Sequence, residues 1–66
     1  MEHRILKEVI ESPTKKLRAM QDDIGREWIV TIIKGQDKQE MHFQTPFLMV
    51  GKAVPALEEI ERQIKS

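Results

Sequence analysis

The chain has no cysteine and no tyrosine, one tryptophan, two phenylalanines, three glycines and three prolines among its 66 residues. Without cysteine it can form no disulfide, no thiolate metal site and no thiol nucleophile. Neither sign of charge prevails, since eleven Lys and Arg balance eleven Asp and Glu. Up to Gly35 there are seven basic and six acidic residues, and after it four and five, so neither part is a basic arm or an acidic tail. Tight non-specific nucleic-acid binding ordinarily shows as a basic excess, so this balance argues against it while leaving room for a local patch. No apolar run approaches the roughly 18 residues that span a membrane. The opening M-E-H-R-I-L-K-E-V-I-E carries charges inside its apolar pattern and no small-residue cleavage site, unlike a signal peptide. A cytoplasmic protein without a membrane partner is expected.

Residues 1–66 make one small domain at most. A chain this short buries only about 60% of the surface its unfolded form exposes. Disulfides being excluded, stability must come from tight packing or from a second copy.

The most informative stretch is Arg26 to Gln44, R-E-W-I-V-T-I-I-K-G-Q-D-K-Q-E-M-H-F-Q. Its β-branched run from Glu27 to Lys34 reads as a strand, with Trp28, Val30 and Ile32 on one face and Ile29, Thr31 and Ile33 on the other. Gly35 to Lys38 form a turn, and Gln39 to Gln44 alternate as the partner strand of a β-hairpin. Both faces of the first strand are apolar, whereas a ribbon covered on one side should keep one wet face. A second helix or a second subunit is therefore expected to cover it.

From Ile5 to Ile24 the apolar residues fall within roughly 140° of a helical wheel, which predicts an amphipathic helix. Ser12-Pro13 leaves two forms open, a helix kinked over Glu2 to Asp22 or two helices divided at Pro13. Gly25 supplies a left-handed stop in either case. After Thr45-Pro46, the spacing of Phe47, Val50, Val54, Leu57, Ile60 and Ile64 predicts a C-terminal helix. It starts at Pro46 or, if 47–50 are extended, between Lys52 and Pro55. The expected fold class is α+β, a small α-β-β-α domain with an N-terminal helix, a β-hairpin and a C-terminal helix packed on the sheet.

Few residues suggest chemistry. His3 and His42 lack any metal-ligand spacing, and a solvent-facing role is the simpler reading. Asp22, Asp23 and Glu27 cluster around Gly25 and could divide acid and base roles, yet charged residues at a surface turn explain them more simply. No phosphate-binding glycine loop or nucleophile elbow is present. No enzyme activity, metal or cofactor is expected. No stretch resembles a known family at motif level, and helix-hairpin-helix order alone implies no function.

Two functions remain. The first is a small non-catalytic interaction or regulatory module acting as a homo-oligomer, with a further protein partner of unknown identity. Trp28, Ile29, Ile33, Phe47 and Met49 are its expected contacts, because apolar and adaptable side chains anchor interfaces. The alternative is a nucleic-acid-binding regulator using Lys15, Lys16, Arg18, Arg26, Lys34 and Lys38.

Overall fold

The computed structural model describes residues 4–66 and contains four strands followed by one helix. The strands are β1 (Arg4–Ser12), β2 (Lys15–Gln21), β3 (Glu27–Lys34) and β4 (Glu40–Pro46), and the helix is α1 (Ala53–Lys65). They form a single antiparallel meander in the order β1-β2-β3-β4. The expected N-terminal helix is absent, so the domain is β-β-β-β-α rather than α-β-β-α. Glu2 and His3 lie outside the described residues.

The cause of this difference lies in β1, which is bulged and carries apolar residues on both faces. β1 shifts register between Ile5 and Lys7 and again between Ile10 and Ser12. Each extra residue advances the side-chain alternation by one. Ile5, Leu6, Val9 and Ile10 therefore sit in one bulged strand while their spacing imitates a helical stripe. Pro13 neither kinks nor starts a helix. With Thr14 it forms the tight β1–β2 turn, where its fixed φ is at home. Gly25 does adopt the left-handed conformation (φ +87°), but in the β2–β3 turn.

β3 and β4 lie where the alternation placed the hairpin, with Trp28 opposite Pro46 and Lys34 opposite Glu40. The turn between them closes with the Gly35 N–H donating to Gln39 and that of Lys38 donating to Gly35. Lys38 takes φ +67°, a left-handed position that glycine would occupy more easily.

The C-terminal helix begins at Ala53, seven residues after Pro46. Pro55 lies in its first turn, where a missing N–H leaves no intrahelical bond unmade. Its inward stripe of Ala53, Leu57, Ile60 and Ile64 packs on Val9, Leu17, Ala19 and Ile29 to make the core. α1 lies over β1, β2 and β3 and does not reach β4. No helix among the described residues is long and apolar enough to cross a membrane.

One contact fastens the helix. Residues 53–65 have no acidic side chain in the first turn, and Lys52 offers no capping side chain. Instead Glu27, at the start of β3, accepts hydrogen bonds from the N–H groups of Gly51 (2.8 Å) and Ala53 (3.1 Å). Glu27 is 5% exposed. It is a buried carboxylate at the positive end of a helix dipole, which is where a negative charge is favoured. Its expected place among surface turn acids is thus corrected.

Candidate interaction surfaces

Residues opposite one another in antiparallel strands share a face. The register therefore sorts every strand side chain onto the helix side or the open side. Across the open side run three rows: Ile5, Met20, Trp28 and Pro46; Glu8, Arg18, Val30 and Gln44; Ile10, Lys16, Ile32 and His42. No helix covers them. Val30 and Ile32 are nevertheless buried. They form the floor of a shallow depression of ≈290 Å³ walled by Arg18, Met20, Asp22, Trp28, His42 and Gln44. A second depression of ≈320 Å³ opens beside Ile10, Lys16, Lys34 and Glu40.

The apolar excess of β3 is thereby absorbed within one chain. Ile29 lies under α1, Val30 and Ile32 are ringed by longer neighbours, and Trp28 and Ile33 are half-buried. The doubly apolar strand gives no support to self-association. Ile29 in particular is spent on the core.

Trp28 is held in place rather than free to rotate. Asp22 accepts its indole N–H through Oδ2 (3.0 Å), and through Oδ1 accepts the N–H groups of Ile24 (3.1 Å) and Arg26 (2.8 Å). Donation from Trp28, then from the two backbone groups, holds the Asp22 carboxyl below its ordinary pKa despite some opposing desolvation. A carboxyl depressed in the folded state adds stability that is complete above its unfolded pKa of about 4. That stability is lost as pH falls through the lower folded value. Asp22→Asn should therefore flatten the decline in melting temperature below about pH 4 relative to the unmodified chain. Fluorescence of the single tryptophan reads this out, and an unchanged acid limb would contradict it.

The cations divide between the faces. Lys16, Arg18 and Lys34 are on the open side, whereas Lys15 is on the helix side, and Arg26 and Lys38 lie in turns. Lys15 pairs with Glu11 (3.1 Å), and Arg18 with Glu8. The Arg18 guanidinium holds Glu8 below its usual pKa, with Lys16 adding a smaller effect. Lys16 and Lys34 make no ion pair among the described residues. The six expected nucleic-acid contacts thus do not form one surface, but three of them share the open face with Trp28.

The second uncovered surface is on the helix side. Thr31 is opposite Phe43, and Ile33 opposite Met41. α1 stops short of this lane, leaving Met41 53% and Phe43 54% exposed. All seven residues of β4 are exposed, unlike those of any other strand. Of the remaining expected contacts, Phe47 packs against the core and Met49 stands out to solvent in the loop with Leu48 and Val50. Alternation in the sequence sets Met41 and Phe43 on one face of the strand without saying whether that face is covered. Only the helix's position reveals them as uncovered.

His42 Nε2 lies 3.3 Å from Glu40, and no group of three metal-ligating side chains occurs among the described residues. Compared with known proteins, the chain matches no family model, no curated protein and no solved structure.

Proposed function

We propose that the chain is a small non-catalytic interaction module of regulatory type that works as a homo-oligomer. The mismatch between a four-stranded sheet and a helix that covers three strands supports this reading. It leaves Ile33, Met41 and Phe43 as an apolar lane beside an unpaired edge. Apolar surface next to an open strand edge is a standing invitation to strand pairing. The carboxylates best placed for chemistry, Asp22 and Glu27, are committed to backbone and indole donors. The open face, with its two depressions, is free for a further protein partner. Light scattering at high micromolar concentration should give twice the chain mass of 7.7 kDa. A single-chain mass at every concentration would contradict the proposal.

A second reading, a nucleic-acid-binding regulator, is favoured by one observation. Trp28 shares the open face with Lys16, Arg18 and Lys34. An indole in that position can stack on a base while the cations neutralise phosphates. This reading requires salt-sensitive retardation of single-stranded DNA or RNA that disappears in the Lys16→Glu, Lys34→Glu double variant. Absence of any shift at low salt removes it.

A further inference from the structure

We infer that a second copy of this chain adds to β4, strand against antiparallel strand, in the register that places His42 opposite His42 of the other copy. The inference rests on the homo-oligomer reading above and says where and how the two copies join.

The two edges of the sheet are unequal. β1 is broken by a bulge toward each end and carries Arg4, Lys7, Glu8 and Glu11. Bulges and charges are the usual devices that keep an edge from pairing. β4 pairs with β3 without any register shift, has no lysine or arginine, and has Glu40 as its one carboxylate. It also carries Met41 and Phe43 uncovered on one side. The chain's formal net charge is zero, so two copies approach without mutual repulsion.

The backbone fixes which groups an incoming strand would meet. Lys34 donates its N–H to Thr14 on the β2 side, while the carbonyl of Glu27 accepts from Phe47 on the β4 side. Backbone direction alternates along a strand, so the odd-numbered residues of β3 face β4. Their partners Met41, Phe43 and Thr45 face back, leaving the N–H and C=O groups of Glu40, His42 and Gln44 pointing outward.

Every symmetric register centred on a residue matches outward groups to outward groups, and those centred on His42, Phe43 and Gln44 pair the most of β4. Centring on Gln44 sets His42 against Pro46. Centring on Phe43 sets Glu40 against Pro46, which has no N–H to give. Centring on His42 pairs Glu40 with Gln44, His42 with itself and Gln44 with Glu40, and keeps Pro46 outside the ladder. In that register Met41 of each copy meets Phe43 of the other across a close, non-hydrogen-bonded pair, a favourable sulfur–aromatic contact. No carboxylate faces a carboxylate.

The absence of native cysteine makes the register directly readable. Cα atoms of a hydrogen-bonded antiparallel pair lie about 5.5 Å apart, within disulfide reach. At position 40 the two like residues would be about 13 Å further from register. Under mild oxidation His42→Cys should therefore give disulfide dimer at least roughly tenfold faster than Glu40→Cys. His42→Pro removes an outward N–H that the chain's own ladder does not use. It should raise the dimer dissociation constant roughly tenfold or more, since the two-fold axis removes the bond twice. A dimer by light scattering in which His42→Cys cross-links no faster than Glu40→Cys overturns this register and leaves the homo-oligomer reading standing. A monomer at every concentration overturns both. Should His42→Pro fail to fold, the cysteine comparison still decides.

Discussion

Leu57→Ala should lower the unfolding free energy by about 3 kcal/mol, within the range of roughly 2–5 for large-to-small core replacements. Leu57 is the largest fully buried side chain, with no exposed surface. It sits where α1 meets Val9, Leu17, Ala19 and Ile29, so its truncation opens the one seam that joins helix to sheet. A domain of this length is expected to hold only about 3–10 kcal/mol in total. The variant should thus lose a third or more of its stability. Urea denaturation followed by far-ultraviolet circular dichroism measures it. A loss under about 1 kcal/mol would mean that the helix is not seated as described.

Glu27→Ala should cost about as much through a different mechanism. Two hydrogen bonds to a carboxylate disappear, each worth roughly 1.5–3 kcal/mol, and the buried Ala53 N–H is left without a partner. Allowing for coupling between the two bonds, a loss of about 3 kcal/mol is expected. Glu27→Gln keeps one acceptor oxygen but turns an amide N–H₂ toward a backbone N–H and removes the favourable charge at the helix start. It should fall between alanine and the unmodified chain. The same denaturation series checks both, and equal stability of all three would show that the cap contributes nothing. Surface pairs such as Lys7–Glu61 (3.3 Å), by contrast, should each change stability by less than about 1 kcal/mol.

The parts of this fold that were legible in the sequence are those governed by local alternation and turn chemistry. Glu27 to Lys34 reads as a strand because Ile29, Val30, Ile32 and Ile33 make a dense β-branched run, and the turn at Gly35–Lys38 follows from its residues. The parts that misled have a specific cause. Val9 faces the core and Ile10 the open side, and the bulge at Leu6 brings Ile5 onto the open side as well, so two apolar doublets four residues apart match a helical period. Leu17, Met20 and Ile24 continue the same helical spacing through β2 and its turn. Glu27 was unreadable for another reason. Its partners Gly51 and Ala53 lie 24 and 26 residues away, and no local spacing marks such a pair. The candidate surface was half visible. The alternation of Gln39 to Gln44 sets Met41 and Phe43 on one face, but whether that face is covered depends on how far α1 reaches, a question of tertiary packing alone.

Amide hydrogen exchange along β4, recorded in dilute and in concentrated solution, tests the open edge most directly. At low concentration the N–H groups of Met41, Phe43 and Thr45 should exchange slowly, because they face β3, while those of Glu40, His42 and Gln44 exchange at nearly free rates. At high micromolar concentration the second set should slow as well, and in step with the rise in scattered mass. Fast exchange of Glu40, His42 and Gln44 at every concentration would show that no strand ever docks on this edge.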